Sequence, residues 1–317
     1  MSGSAEAVIL GAVQVTVVVA AAPLLNGFIK KIKARFQLRH GPPLLQGYFD
    51  LSKWLSRSEQ VADSTSFVHA FAPAGIVAAT IAALLFAPVF SEHTPLTASG
   101  DLIVVVGLLA LTRALLTLGG MDSGSAFGQM GSSRELAVGA IVEPVLLLSL
   151  TALALQPQST RLGEIVAFGD GHAGSFLSLG WALAATAFAV VLGAETGRIP
   201  VDNPDTHLEL TMIHEGMLIE YSGRNLGLLH CAAMTRQLLL AVLLVNLFVP
   251  FGMARFSGFG GYALGAALVA VKVALVGVGL AVVESAFAKK RLFELPDLIG
   301  AAGFSAMLGV ALTVLFA

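Results

Sequence analysis

The stretch from Glu195 to Gly223 reads ETGRIPVDNPDTHLELTMIHEGMLIEYSG, a polar island between two apolar runs, Phe176 to Ala194 and Leu226 to Phe251. Each run has about the 20 residues needed to cross a hydrocarbon core about 30 Å thick. An island so placed reads as a loop of a polytopic membrane protein. It gathers six carboxylates, Glu195, Asp202, Asp205, Glu209, Glu215 and Glu220, with only Arg198 and Arg224 nearby to balance them. With Asn203 as cap and Pro204 in the first helical position, the spacing predicts Asp205, Glu209 and Glu220 near one helical face. Steps of four and eleven residues nearly complete whole turns. Glu215 points away from that face.

Working outward, the same pattern repeats along the chain. Further apolar runs lie at Val8 to Ile29, Phe67 to Phe90, Leu102 to Leu118, Leu136 to Leu155, Tyr262 to Phe287 and Leu298 to Phe316, which makes eight predicted spans in one membrane domain covering residues 1–317. Hydrophobic residues make up 56% of the 317 and charged ones 12%, against roughly 25% charged in soluble domains. Mean hydropathy is +0.85. Strand alternation is absent, so helices satisfy the backbone in lipid. The predicted class is an all-α integral membrane protein with eight transmembrane helices.

The basic residues orient it. Lys30, Lys31, Lys33, Arg35, Arg39, Lys53 and Arg57 fill the first loop, and Arg134, Arg198, Arg224, Lys289, Lys290 and Arg291 fall in every second loop after it. The opposite side holds only Arg161 and Arg255. By the positive-inside rule both termini lie outside the cytoplasm and the acidic island faces it. The N-terminal MSGSAEAV lacks the cationic region of a signal peptide, so the first span is expected to be retained in a plasma (inner) membrane. In the first loop Leu44, Tyr48, Leu51 and Leu55 recur at helical spacing after Pro42 and Pro43, flanked by Phe49 and Trp54, which predicts an amphipathic interfacial helix.

Ionisable residues inside spans cost about 2.5 to 3.5 kcal/mol on insertion scales and mark functional positions by default. Glu143, just before Pro144, is one; Lys272 and Glu284 in the seventh span are two more, too far apart on their helix to pair with each other. Arg113 is expected to snorkel toward the cytoplasmic end of its helix. GGMDSGSAFGQMGSSREL, ahead of the fourth span, reads as a Gly/Ser-rich turn ending in Arg134 and Glu135. A lone cysteine, Cys231, holds neither an iron–sulfur cluster nor a thiolate zinc site. Any redox centre therefore belongs to a partner.

Glu195, Arg198, Pro200, Asp202, Pro204 and Asp205, followed by Glu209-Leu210 and Glu220-Tyr221-Ser222-Gly223, resemble residue by residue the signature of the membrane subunit 1 family of respiratory complex I. The loop from Arg35 to Lys53 and the pair Arg134-Glu135 are similar to that family's first and third-to-fourth loops. The wording THLELTMIHE and VESAFAKKRLFELPDLIG resembles the corresponding subunit of formate hydrogenlyase and hydrogenase-4, membrane-bound [NiFe] hydrogenases. The resemblance implies a non-catalytic anchor and proton-coupling subunit with no cofactor of its own. It implies hydrogenase-like large and small subunits, a ferredoxin-like subunit and antiporter-like membrane subunits as partners, bearing the iron–sulfur clusters and the nickel–iron site. Nucleic acid is not expected. Glu143, Glu195, Asp205, Glu209, Glu220, Glu284 and Lys272 become expected proton-path or coupling residues, and Arg35, Arg134, Glu135, Arg198, Asp202 and Tyr221 structural or docking ones. Glu209 and Glu220 are expected to couple through water, with Arg198 holding the array in register.

Other chemistries fit less well. Asp202-Asn203-Pro204-Asp205 resembles half of a magnesium–diphosphate site, but the last cytoplasmic loop offers only Glu294 and Asp297 as the other half. His214-Glu215 starts like a zinc-protease helix, yet position 218 is Leu. A quinone-site subunit and an autonomous ion or solute transporter remain as alternatives, the latter without visible internal repeats.

Overall fold

The computed structural model describes residues 2–62, 64–90, 100–172, 178–203, 212–251 and 259–316. Its helices are α1 (Ser2–Phe36), α2 (Gln46–Leu55), α3 (Phe67–Phe86), α4 (Leu102–Asp122), α5 (Ala126–Ala154), α6 (Leu162–Gly171), α7 (Leu179–Glu195), α8 (His214–Leu218), α9 (Gly223–Phe248), α10 (Phe259–Ala286) and α11 (Leu295–Phe316). No strand occurs among the described residues. Seven helices there, α1, α3, α4, α5, α9, α10 and α11, are long and apolar enough to cross a membrane. The helix predicted as the remaining span, α7, has 17 residues, about 26 Å at 1.5 Å per residue.

Helix starts follow local chemistry. The side chains of Ser66, Asp101 and Ser178 accept from the backbone N–H of Val68, Ile103 and Trp181 and so cap α3, α4 and α7. The end of α3 is closed from other helices: Gln14 on α1 donates to the carbonyls of Leu84 and Ala87, and Asn246 on α9 donates to those of Pro88 and Val89. In lipid such carbonyls have no water to turn to, so buried amides satisfy them.

Two expectations change. The Gly/Ser-rich stretch is a turn only around Ser123 to Ser125, where Gly124 has φ +70°; α5 begins at Ala126, ten residues before the predicted span. Its small residues serve close helix approach instead. A Cβ on Gly128 would stand 2.6 Å from the Gly120 carbonyl of α4, and one on Gly131 would stand 3.0 Å from the Ile213 carbonyl. The helix in the first loop starts at Gln46, with Pro42, Pro43 and Leu44 outside it. It buries Leu51, leaves Phe49 and Leu55 exposed, and lies across α1 and α9.

At the centre stands α9, touched by α1, α2, α3, α6, α7 and α10. Its run Leu238 to Leu243 is buried in one continuous apolar core. Around it α3, α4 and α5 pack in sequence, α5 meets α7, and α11 lies on both. The polar groups described next are embedded in this packing, at the end of the bundle where α1, α4, α7 and α10 finish and α5 and α9 begin.

Candidate functional site

Arg113 is the hub. It lies on α4, is 5% exposed, and meets three carboxylates from two other helices. Nε donates to Glu135 Oε1 at 2.9 Å, Nη1 to Glu143 Oε1 at 2.6 Å, and Nη2 to Glu195 Oε1. Glu135, Gly139 and Glu143 recur at steps of four on α5, which places them on one face. Gly139 is the slot between them: a Cβ there would stand 2.7 Å from both Cδ and Nη1 of Arg113. A second guanidinium, Arg236 of α9, donates to the backbone carbonyl of Glu195 at 2.5 Å, with Nη1 4.0 Å from its carboxylate. Two arginines thus serve three glutamates. The Glu135 and Glu195 side chains are 3% and 2% exposed, but that of Glu143 is 35% exposed, so the cluster has one open edge.

His214, the first residue of α8, bridges this cluster to the next. Its Nε2 is 3.5 Å from Glu135 Oε2 and its Nδ1 is 3.7 Å from Asp202 Oδ2. Gly197, at φ +58°, leaves the space under the ring, since a Cβ there would stand 2.8 Å from Nδ1. Asp202 is buried and accepts from the Lys289 ammonium at 2.7 Å and from the backbone N–H of Asn203, Ile213 and His214. It therefore clasps the two ends of the segment 204–211 and ties them to the α10–α11 loop. Burial by itself raises the Asp202 carboxyl, but His214 and then Lys289 outweigh it and hold it well below the ordinary aspartate value. Burial lowers His214, and the charge of Glu135 with the nearby Asp202 carboxylate more than reverses this, leaving it above the ordinary value.

A third group lies beside these. Arg198 donates to Glu284 Oε1 at 2.9 Å, to Asn26 at 2.8 Å and to Gln237 at 2.9 Å, and Lys33 stands 3.1 Å from Glu284 Oε2. Two cavities run between the groups. One of about 110 Å³ touches Thr112, Asp202, His214, His230 and Arg236, which is room for several waters. The other, about 180 Å³, touches Asn26, Lys30, Asp50, Trp54 and Arg198 between α1, α2 and α9. Thr196, Glu215, His230 and Ala233 line both.

Several expected residues meet here and others do not. Glu143, Glu195 and Glu135 converge on Arg113, while Glu284 finds its cross-helix partners in Arg198 and Lys33. Among the described residues Arg198 thus registers Glu284. Asp205 and Glu209 lie outside the described residues. Glu220 does not share one continuous helix with Asn203, because Met212 and Ile213 lie outside any helix and α8 spans only His214–Leu218. Glu220 is half-buried in the turn before α9. Arg134 donates to the Met212 carbonyl at 3.1 Å, and Arg35 is exposed in the last turn of α1. Tyr221 stacks on His69 of α3, centroids 3.9 Å apart, and donates to the His69 carbonyl at 3.3 Å, a joint between α3 and α9; burial pushes its phenol up. Lys272 stands at the other end of the bundle, donating to the carbonyls of Val249 and Phe251.

Arg113 corrects the sequence reading most. Snorkelling needs a cation that reaches interfacial water, whereas this guanidinium is enclosed by three acids. Arg236 and His214 were not singled out as functional. The signals were present: Arg236 interrupts the apolar run Leu226 to Phe251, and Glu135-x3-Gly139-x3-Glu143 spells a slot with an acid at each end.

Two consequences are measurable. Gly139→Val places a branched side chain where Arg113 lies and is expected to cost about 1–3 kcal/mol, the range for overfilling a packed site. A thermal melt of the purified protein reads it, and an unshifted melt would mean the slot is not occupied by the guanidinium. For His214, the folded value lies above 6.5, so its contribution is full below 6.5 and is lost as pH rises through the folded value. Stability is therefore expected to fall with pH from 6.5 upward, and His214→Gln to flatten that slope.

A bundle with seven membrane-length helices and an enclosed arginine–glutamate cluster defines a polytopic membrane protein whose ionisable groups are built into its interior. More particularly, residues 8–317 match the NADH dehydrogenase family, and the chain belongs to that family as a membrane subunit. Among its relatives, hydrogenase-4 component C of Escherichia coli K12 is 34% identical over 292 residues, 90% of this chain and 89% of that protein. Formate hydrogenlyase subunit 4 of the same organism is 33% identical over 302 residues, 95% and 97% of the two chains. In a solved structure of the membrane-bound sulfane sulfur reductase (MBS), an archaeal respiratory membrane complex, one chain shares the fold at a TM-score of 0.87 and 23% identity, over 97% of this chain and 99% of that one.

Proposed function

We propose that this chain is the membrane-anchor and proton-coupling subunit of a complex I-like hydrogenase of the formate hydrogenlyase and hydrogenase-4 kind. It docks a soluble redox arm and passes the effect of electron transfer to protons in the membrane. The observation that carries this reading is the linked series of ionisable groups from Lys289 and Asp202 through His214 to Glu135, Arg113, Glu143 and Glu195. Its first members sit in the loops and its last sit between helices. Two cavities with room for water lie alongside.

In this reading all eight apolar helices span, with α7 as the short one, α2 rests in the interface, and the loops bearing Arg35, Arg134, Arg198 and Lys289 face the cytoplasm. The redox arm docks over Asp202 and the segment 204–211, with Asp205, Glu209 and Glu220 among the carboxylates it engages. A change of charge at the docked arm alters the proton occupancy of His214. That shifts the share of Arg113 taken by Glu135 against Glu143 and Glu195, because one guanidinium holds all three. Glu143, at the open edge, hands the proton to the neighbouring membrane subunit. Arg198, Glu284 and Lys33 keep α1, α7, α9 and α10 in register, and Lys272 anchors the far end.

Partners are hydrogenase-like large and small subunits with their nickel–iron site and iron–sulfur clusters, a ferredoxin-like subunit, and antiporter-like membrane subunits. Relatives named as components of larger assemblies support this over an autonomous transporter. Affinity purification of the tagged chain from its own cells in mild detergent is the test. Nickel and iron are expected to copurify in fixed ratio to the chain, and recovery of the chain alone would contradict the subunit reading.

A further inference from the structure

A cleft of about 450 Å³ opens between α7, α9, α10 and α11, on the side of the Ile199–Val201 segment, and none of the ion-paired side chains lines it. It exists because α10 leans on α1 and α9 while α11 leans on α5 and α7. Its walls are apolar, with Leu192, Leu244, Val276 and Leu280 among them. Gly193 on α7 and Gly279 on α10 widen it, since a Cβ at either position would meet nothing within 4 Å. One charged residue, Lys290, stands on its rim, its backbone N–H fixed to the Pro200 carbonyl at 2.9 Å. The adjacent Lys289 is held by Asp202, whereas Lys290 and the exposed Arg291 have no ion pair to any described carboxylate. On either side the outer faces of α10 and α11 expose Val271, Leu275, Phe304 and Met307.

We infer that this cleft is a binding site for an anionic phospholipid, one acyl chain lying between α10 and α11 and the phosphate resting on Lys290. Water does not fit the walls, which offer it almost no polar partner. Hydrocarbon does, and the exposed faces of the same two helices bring the bilayer to the opening. A cation at the headgroup end of an apolar slot between helices is the arrangement that selects an anionic headgroup over a zwitterionic one. A partner's apolar helix would fill the walls yet leave Lys290 without an anion. The inference does not depend on the coupling role proposed above.

The test uses the complete complex in nanodiscs of phosphatidylcholine doped with phosphatidylglycerol or phosphatidylcholine bearing a photoactivatable diazirine on one acyl chain, with adducts mapped by peptide mass spectrometry. Adducts are expected to concentrate around Gly193 and Gly279, several-fold more from phosphatidylglycerol. Lys290→Gln should erase that headgroup preference and leave the phosphatidylcholine adducts in place. Gly279→Leu, whose side chain has room, should remove both sets, with Gly193→Leu as the second filling variant. Adducts spread evenly over the outer faces of α10 and α11 and indifferent to these changes would overturn the site. So would a Gly279→Cys protein that crosslinks efficiently to another subunit's helix.

Discussion

Arg113→Gln is expected to leave little of the assembled subunit in the membrane. The substitution removes one positive charge from a cluster of two arginines and three glutamates, so Glu135 and Glu143 lose their arginine partner and Glu195 keeps only Arg236. Removing one partner of a buried ion pair typically costs about 3–5 kcal/mol, because the remaining charge stays buried without compensation. Whole domains are stable by only about 5–15 kcal/mol, so a loss of that size takes a large share of it, and in cells even about 1–2 kcal/mol changes abundance several-fold. Arg113→Lys keeps the charge but not the fork that reaches three carboxylates, and it should recover only part of the loss. Membrane abundance and the melting temperature of the detergent-solubilised complex read both variants. Arg113→Gln with wild-type abundance and melting would mean that the cluster contributes nothing net.

Glu195→Gln is expected to do the opposite: the complex assembles and turns over, but its turnover no longer moves protons. Here the cluster falls to two arginines and two glutamates, so no excess of buried charge is created. The amide keeps the shape of the carboxyl, and the Glu195 backbone carbonyl that accepts from Arg236 is untouched. What disappears is one of the three proton acceptors competing for Arg113. In vesicles, hydrogen evolution should continue while the accompanying pH gradient falls to the level of an uncoupled membrane. A variant that pumps normally would remove Glu195 from the path and leave it a purely structural ligand of Arg113.

These two outcomes differ because of partners no single span reveals. The sequence resolved most of the expected spans: among the described residues seven of the eight apolar runs are membrane-length helices, and six carboxylates marked the polar island between α7 and α9. Glu143 and Glu284 were recognisable because an acid in an apolar run is costly wherever its partner lies, and Glu195 because the polar island and its family signature begin with it. Arg113 was misread for the reverse reason, as its distance from the helix end satisfies snorkelling and its three acids come from α5 and α7. The stretch before Arg134 looked like a loop because glycine and serine favour turns. Its glycines face α4 and the segment before α8, where close backbone approach outweighs helix propensity. Lys272 carried the same mark as Glu284, yet it donates to backbone carbonyls at the far end of the bundle. Depth in a span says that a charge needs a partner; only packing says which.

Reaction-induced infrared difference spectroscopy on the whole complex, comparing the reduced and oxidised redox arm, reads carboxyl protonation inside the bundle directly. The expected result is a protonated-carboxyl band that appears or disappears with electron transfer, is lost in Glu195→Gln, and shifts in His214→Gln. A difference spectrum with no carboxyl signal, or one unchanged in both variants, would contradict a coupling role for these groups.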